Sequence, residues 1–233
     1  MVLKGSQAHQ RYQTKDGTYV PGVTSITGRT PKPFLYKWAN GLGLKGVSYD
    51  EYMKITAEIG TAVHDRIEEF FGGPEWDRSM VRPEHMQYVQ YAMDKFAEWY
   101  KKHDVEKVYF IEEEMVSEEY AYGGTLDMYA KIDGKRTVLD FKTGKDIYDS
   151  HYLQLAALKQ LLIEQGKKPE DSAILSLGRV KGDGYKYGKE NKENMPVFWQ
   201  RFLCLLDDYW WEHKLTTPVF YKETGPKRYK SLG

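Results

Sequence analysis

Apolar residues recur at two spacings along the chain, and these spacings predict an alternation of helices and strands. The three- and four-residue spacing of an amphipathic helix occurs between residues 57 and 71, and an aromatic-rich helix is predicted for residues 83–103. Residues 149–164 and 194–214 are predicted to form two further helices, and residues 34–39 a short one. Helices are therefore expected before and after the central part of the sequence.

Runs of strand length lie between these helices. They predict strands near residues 105–116, 124–132 and 137–142, and a buried strand at residues 173–177. Residues 10–27 are expected to form two short strands around a turn. Strands interspersed with helices indicate an α/β protein in which helices flank a mixed sheet.

The 233 residues suffice for one α/β domain with a substantial core. The core is expected at about residues 57–215, preceded by an N-terminal extension, residues 1–56, that contributes a helical segment. The glycines at positions 41–46 and the Gly-, Lys- and Asn-rich stretch 178–194 are expected to form loops. Residues 222–233 are polar and are expected to be a mobile tail.

The dipeptide Asp133-Gly134 lies between two strand patterns and favours a two-residue hairpin turn. With that turn, Ile132 pairs with Lys135. Stepping back along both strands then pairs Asp127 with Asp140. Residues directly opposed in an antiparallel pair point to the same face, so the two carboxylates are predicted to lie side by side.

Lys142 is predicted to share that face with Asp127 and Asp140, because side chains in a strand alternate with a period of two. The opposite face is predicted to be apolar, carrying Leu126, Met128, Ala130, Ile132, Leu139 and Phe141. The same alternation that builds a core therefore collects two acids and an ammonium group on one side of the hairpin.

Two directly opposed acids destabilise a sheet unless a cation compensates them. Lys142 is one candidate, and a divalent cation bound by hard oxygen ligands, such as Mg²⁺, Mn²⁺ or Ca²⁺, is the other. A solvated hairpin with scattered surface charges, or a purely structural Ca²⁺ site, remains an alternative. A turn at Gly134-Lys135 would place Asp127 opposite Lys142, and a three-residue loop would break the arrangement.

Four elements, in order, resemble the RecB-like exonuclease branch of the PD-(D/E)XK nuclease superfamily. They are Gly-x-x-x-His at residues 60–64, Gly-Thr-Leu-Asp at 124–127, Leu-Asp-Phe-Lys-Thr-Gly at 139–144, and Gln154 on a following helix. The branch includes phage recombination exonucleases and the mitochondrial genome maintenance exonuclease. The resemblance implies a restriction-endonuclease-like mixed central sheet flanked by helices, with an additional N-terminal helical segment.

The resemblance also implies roles for individual residues. His64, Asp127 and Asp140 would bind Mg²⁺ or Mn²⁺ together with the backbone carbonyl of Phe141. Lys142 would orient or deprotonate the attacking water. Taken alone, His64 could equally be half of an ordinary surface pair with the glutamate four residues later on the same helix.

Gln154 would lie near the substrate, although Leu158 stands where the branch carries a tyrosine. One of Glu112, Glu113 and Glu114 matches an acidic residue that is common upstream in the branch, and the sequence leaves open which one. Members of the branch that hold an iron–sulfur cluster use four cysteines. This chain has one, which excludes such a cluster.

The expected function is that of a metal-dependent DNA nuclease, and most specifically an exonuclease acting on single- or double-stranded DNA ends in phage-type recombination, repair or replication. A noncatalytic DNA-binding or adaptor module on the same fold and a structure-selective endonuclease are the alternatives. Polarity of degradation, strand preference and oligomeric state are left open by the sequence.

Charge and composition agree with a DNA partner only in part. Lys and Arg number 34, as do Asp and Glu, so a general affinity for polyanions is not expected. Residues 1–46, however, carry seven basic residues and one acidic residue, and residues 178–192 five basic and two acidic. The sequence contains no apolar run of membrane-spanning length, and its first residues hold no apolar stretch long enough for a secretory signal; with a single cysteine, a cytoplasmic protein is expected.

Overall fold

The structure is a computed structural model that describes residues 12–189 and 194–216, without the side chains of residue 34 and residues 214–216. The expected polar tail, residues 222–233, lies outside the described residues. The described chain contains a five-stranded mixed sheet flanked by helices, which confirms the fold class predicted from the sequence.

Seven strands are present in the described chain. They are β1 (Tyr12–Gln13), β2 (Tyr19–Val20), β3 (Val105–Ser117), β4 (Tyr122–Ile132), β5 (Lys135–Lys142), β6 (Asp171–Leu177) and β7 (Tyr185–Lys189). The first two form a small antiparallel ribbon, and the other five form the central sheet in the order β3-β4-β5-β6-β7.

Six α-helices accompany these strands. They are α1 (Val23–Thr27), α2 (Phe34–Gly43), α3 (Tyr49–Phe70), α4 (Met86–Tyr100), α5 (Asp149–Glu164) and α6 (Met195–Thr216). Two short 3₁₀ turns, Arg78–Met80 and Pro83–His85, precede α4. No helix in the described ranges combines the length and apolar character needed to span a membrane.

The sheet is mixed because its central connection differs from the others. Strands β3, β4 and β5 are antiparallel neighbours, β5 and β6 are parallel, and β6 and β7 are antiparallel. Parallel neighbours require a crossover, and α5 provides it. One apolar cluster lies between the sheet and α1, α5 and α6, and a second lies between the opposite face and α3 and α4.

The β4–β5 hairpin has the predicted register. Asp133 and Gly134 have φ values of 50° and 81°, the left-handed conformations that a two-residue turn of this kind requires. Ile132 lies opposite Lys135, which excludes both the shifted turn and the three-residue loop. The last pair of the ladder is Met128 and Leu139, one step before the two acids.

The predicted apolar face is interrupted at Leu126. Met128 packs with Phe141 in the α3–α4 cluster, whereas Leu126 packs in the α5–α6 cluster on the other side of the sheet. Residues two apart in a regular strand share a face, so β4 rotates at Asp127. The expectation that Leu126 shares the face of Met128 was therefore wrong.

Glycines 123 and 124 allow other segments to pack closely on β4. The amide of Gly123 donates to the carbonyl of Pro21 at 2.9 Å, which joins the N-terminal segment to the end of β4. A Cβ atom on Gly124 would lie 2.8 Å from Leu158 Cδ2, closer than real contacts allow. These glycines bring α1 and α5 against the strand that carries Asp127.

Four local predictions differ from the structure. Val23–Thr27 is a helix rather than the end of a strand, and α2 continues to Gly43 through residues expected to form a loop. Helix α3 begins at Tyr49, eight residues before its predicted start. The expected loop 178–194 contains strand β7.

Candidate metal centre

The candidate site lies where β4 and β5 separate. Beyond the pair Met128 and Leu139, the two strands diverge, and an open groove of ≈ 590 Å³ lies beside them. It is lined by residues of the N-terminal segment, α3, strands β3 and β4, and α5, including Tyr12, Ser25, Thr61, His64, Asp127 and Gln154.

Three of the groove residues place possible metal ligands together. The Nδ1 atom of His64 lies 2.9 Å from Glu112 Oε1 and 3.8 Å from Asp127 Oδ1. One ligand atom from each of the three side chains lies within 4.8 Å of the others. His64 comes from the C-terminal half of α3, and Glu112 and Asp127 lie within β3 and β4, so the cluster depends on packing this helix against these two strands.

The structure identifies which of the three consecutive glutamates faces the site. Glu113 and Glu114 are exposed, whereas Glu112 contacts His64. Glu112 has a φ of 46°, a left-handed conformation that is uncommon for a residue other than glycine. Such a conformation costs about 1–3 kcal/mol and persists only where the surroundings impose it. This strain directs the carboxylate toward Asp127 and His64.

Asp127 is anchored by the neighbouring strand. Its Oδ2 atom accepts a hydrogen bond from the backbone amide of Phe141 at 2.6 Å, while Oδ1 faces His64. The family resemblance implied that the backbone carbonyl of Phe141 binds the metal. The hydrogen bond in the structure comes instead from its backbone N–H, which holds Asp127. The buried Phe141 ring also packs edge-on against the His64 imidazole, with centroids 5.9 Å apart.

Asp140 and Lys142 form a second, adjoining group. Lys142 Nζ lies 2.6 Å from Asp140 Oδ2, and the Asp140 side chain is completely buried. The other oxygen, Oδ1, is buried and makes no hydrogen bond within the described chain. A buried carboxylate oxygen without a donor is costly, so Asp140 retains capacity to bind a cation.

The electrostatics of these acids reflect their burial. Burial raises the pKa of Asp140 to about 6, opposed by the charge of Lys142 and increased by that of Asp127. Burial also raises the pKa of Asp127, against the attraction of His64 and Lys142. In both groups, nearby positive charge opposes the effect of burial and favours the ionised form.

The pKa values of His64 and Lys142, the two cationic groups, are raised by the acids around them although burial opposes it. Burial alone would lower the pKa of His64, but the charge of Asp127 and the hydrogen bond to Glu112 raise it to about 9. Burial likewise opposes the ammonium form of Lys142, and the charges of Asp140 and Asp127 outweigh it, so its pKa is raised. Excess negative charge therefore dominates the centre.

Gln154 lines the same groove from α5, at the position predicted from the sequence. Leu158, one turn further along, is buried and packs against Gly124. A leucine at this position therefore closes the base of the groove by packing. Glu68 does not form the hydrogen bond to His64 Nδ1, since Glu112 occupies that position.

His151 adjoins the site and was missed by the sequence reasoning. Its Nδ1 accepts a hydrogen bond from the Tyr148 amide at 3.3 Å at the start of α5. Burial and the charge of Lys142 lower the pKa of His151 to about 4. Its position three residues before Gln154, on the same side of the predicted helix, was the available signal.

The donor set fits a hard divalent cation. The groups are the carboxylates of Glu112 and Asp127 and the imidazole of His64, with the orphaned Oδ1 of Asp140 nearby. Oxygen-rich sites of this kind suit Mg²⁺, Mn²⁺ or Ca²⁺ better than softer metals, and Mn²⁺ also accepts an imidazole. The single Cys204 is exposed and lies on α6.

Comparison of the chain with protein-family models and with curated protein sequences gives no match. The functional interpretation therefore depends on the geometry of the site and on the motifs that the sequence carries.

Proposed function

We propose that this protein is a divalent-metal-dependent DNA nuclease, acting as an exonuclease with Mg²⁺ or Mn²⁺. One observation carries the proposal. His64, Glu112 and Asp127 converge in an open groove, next to a buried Asp140–Lys142 pair whose acid has an unsatisfied oxygen. An excess of carboxylates held together at a cost in stability is what binding of a cation would explain.

The residues of the cluster have distinct parts in this proposal. Asp127 and His64 would hold the cation, with Glu112 and Asp140 completing its oxygen ligands. When bound, such an ion lowers the pKa of a coordinated water and stabilises negative charge on phosphoryl oxygens. Phe141 fixes the orientation of Asp127 through its amide, so one carboxylate oxygen remains directed toward His64.

Lys142 supplies positive charge and hydrogen-bond donors. Asp140 holds its ammonium group, and the raised pKa keeps the group protonated at neutral pH. It is therefore suited to orient the attacking water or to donate to a phosphate oxygen as negative charge develops there. A phosphodiester resists attack because nucleophile and backbone are both negative, and this arrangement counters that repulsion.

The proposed substrate is DNA, with the strand entering the groove beside α3 and α5. The groove is open rather than enclosed, as a polymer substrate requires, and hydroxyl groups of Thr24, Ser25 and Thr61 line it. The basic N-terminal segment, of which residues 12–46 are described, gives a local positive charge near this region.

The direct test is degradation of end-labelled linear DNA in Mg²⁺ or Mn²⁺ by the wild type and by Asp140→Ala and Lys142→Ala. The proposal predicts degradation by the wild type and a loss of about a hundredfold or more in each variant. Lys131→Ala is a matched control, because Lys131 also pairs with an acid, Glu106, but lies near the hairpin turn. Undiminished activity in both site variants would contradict the assignment.

The choice of DNA separates the proposed activity from its alternatives. An exonuclease degrades linear DNA and leaves covalently closed circles intact, whereas an endonuclease cleaves both. Labels at the 5′ and 3′ ends report the polarity. Binding of DNA without turnover in either metal would instead favour a noncatalytic DNA-binding module.

A further inference from the structure

A row of residues on one face of α3 runs from the candidate metal centre toward the N-terminal end of the helix. Tyr52, Thr56, Gly60 and His64 are spaced four residues apart and therefore lie in a row along the helix. All four are partly exposed. Eight residues separate Thr56 from His64, which corresponds to about 12 Å along the helix axis.

The carboxyl ends of two parallel strands face this row. Thr143, the residue after β5, lies beside Gly60 of α3. A Cβ atom added to Gly60 would be 3.4 Å from the Thr143 hydroxyl oxygen. Arg179, two residues after β6, meets Thr56 and Tyr52. Because β5 and β6 are parallel and in register, with Lys142 opposite Ser176, both ends lie at the same edge of the sheet.

Arg179 has an incomplete set of partners. Its Nη2 donates to Thr56 Oγ1 at 3.1 Å and reaches the Tyr52 hydroxyl at 3.5 Å. Its Nη1 is buried and has no hydrogen-bond partner within residues 12–189 and 194–216. No carboxylate of these residues forms an ion pair with Arg179. Among the described residues, the guanidinium is therefore oriented by two hydroxyl groups and has no anionic partner.

Three other arginines of the described chain are arranged differently. Arg29, Arg82 and Arg136 each pair with a carboxylate at 2.7–3.2 Å. Removing a cationic group from water without a counter-anion is costly, and an anionic ligand would offset that cost. The planar guanidinium fork matches the oxygens of a phosphate group.

The surroundings favour a nucleic-acid strand as the source of that phosphate. Trp38 of α2 packs edge-on against Tyr52 and Tyr49, with ring centroids 5.1 and 5.7 Å apart. Partly exposed aromatic rings beside a cation are typical of surfaces that bind single-stranded nucleic acid. Lys32, just before α2, adds a positive charge close enough to His151 to help lower the pKa of that imidazole.

We propose that Arg179, oriented by Thr56 and Tyr52, binds a backbone phosphate of the DNA strand a short distance along the strand from the phosphate that is cleaved. This inference rests on the proposed nuclease function and extends it, because it adds a substrate-positioning contact at the end of β6. The strand would follow the α3 row, with the scissile phosphate near His64 and another phosphate at Arg179.

The first experiment measures binding of a fluorescein-labelled single-stranded oligonucleotide in Ca²⁺, over a range of salt concentrations. Arg179→Gln is expected to weaken binding about 5- to 50-fold and to reduce the slope of log K against log salt by about 0.7, as loss of one phosphate contact requires. Arg136→Gln removes an exposed arginine on the hairpin and should match the wild type. Arg179→Lys keeps the charge but loses the fork, and should fall between the two.

The second experiment modifies the oligonucleotide. Single methylphosphonate substitutions, each of which removes one backbone charge, are scanned along it with the wild-type protein and with Arg179→Gln. One position near the scissile phosphate should weaken binding in the wild type and have no further effect in Arg179→Gln. Thermal unfolding without DNA checks that each variant is folded, and Thr56→Val, which removes one orienting hydroxyl, should weaken binding less than Arg179→Gln.

The outcomes separate the two proposals. If the wild type degrades DNA but no methylphosphonate near the scissile phosphate weakens binding, the Arg179 site is refuted and the nuclease function stands. Equal affinity and equal salt slope of Arg179→Gln and the wild type would refute it as well. If the wild type neither binds nor degrades DNA, the proposed function itself fails, and the inferred contact fails with it.

Discussion

The two ends of the β4–β5 hairpin contrast sharply in how they treat charge. At the turn, Asp133 accepts hydrogen bonds from the Asp104 amide and from His103, and Lys131 pairs with Glu106. At the other end, Asp140 is buried with an orphaned oxygen beside further acids. At the turn, each of these charged groups has a partner within the protein. At the open end, carboxylates outnumber their cationic partners, and a bound cation would balance them.

Backbone geometry shows the same contrast. The positive φ angles of Asp133 and Gly134 form a turn that matches the twist of the sheet. The positive φ of Glu112 serves no turn, because this residue lies within strand β3. Left-handed backbone at the turn therefore stabilises the hairpin, and at Glu112 it positions a carboxylate at the expense of stability.

The largest expected difference between the two ends is in catalysis. Asp140→Asn should reduce nuclease activity about a thousandfold, because it removes a charge that faces the reacting phosphate. The same variant should be at least as stable as the wild type in urea unfolding at neutral pH without metal, because burial raises the pKa of Asp140 to about 6 and the ionised acid therefore lowers stability there. Asp133→Asn should show the opposite pattern, with unchanged activity and a stability loss of about 1 kcal/mol or less.

Metal binding should sharpen the contrast in stability. Mn²⁺ at about a hundred times its dissociation constant should stabilise the wild type by about 2.7 kcal/mol, because it binds the folded state. Differential scanning fluorimetry with and without EDTA measures this shift. Asp127→Asn should abolish it, and Asp133→Asn should retain it. An equal shift in both variants would place the ion elsewhere.

The pH dependence of stability without metal should differ in sign between the ends. The pKa of His64 is raised to about 9, so its contribution is complete below the unfolded value near 6.5 and is lost as pH rises through 9. Burial opposes ionisation of Asp133, but hydrogen bonds to His103 and Asp104 lower its pKa. Its contribution is present above the unfolded value and is lost as pH falls through the folded one.

Urea unfolding of the metal-free protein between pH 6.5 and 9.5 tests the first part of this prediction. The free energy of unfolding should decline in the wild type and stay flatter in His64→Gln. The same measurement from pH 6 down to pH 3, with Asp133→Asn as the comparison, tests the second. A His64→Gln variant that declines as steeply as the wild type would show that the histidine does not carry the effect.

The last prediction concerns Gly124, which carries no charge and affects the site only through packing. In Gly124→Ala the new methyl group would meet Leu158 and Val23 at 2.8 and 3.0 Å, and neither neighbour is at the end of a long flexible chain. Stability should fall by about 1–3 kcal/mol as the groove wall is displaced. Calorimetry measures the loss, and Gly184→Ala is the control, because a Cβ atom at Gly184 meets nothing within 4 Å.

The features of the hairpin that local chemistry determines were predictable. The Asp-Gly turn and the alternation of side chains sufficed for the register as far as Met128 and Leu139; the predicted direct pairing of Asp127 with Asp140 is not part of the ladder, because the strands separate there. The choice of Glu112 among three adjacent glutamates was not predictable, because it depends on a single left-handed residue and on the packing of α3. Local sequence does not encode either of these long-range constraints.

Other misses have related causes. The β-branched run at residues 23–27 favours a strand locally, yet it is a helix that packs on Gly124 through Val23. The first two turns of α3 lack a regular apolar spacing, so the sequence pattern predicted a start eight residues too late. Strand β7 is short and rich in Lys and Gly, and pairing with the buried β6 determines its conformation.

Anomalous diffraction from a crystal soaked in Mn²⁺ tests the central claim most directly. The account predicts a manganese peak within bonding distance, about 2.0–2.3 Å, of ligand atoms from His64, Glu112 and Asp127, with Asp140 directed toward it. The absence of a peak among these side chains at saturating Mn²⁺, or side chains that point to separate surfaces, would contradict it.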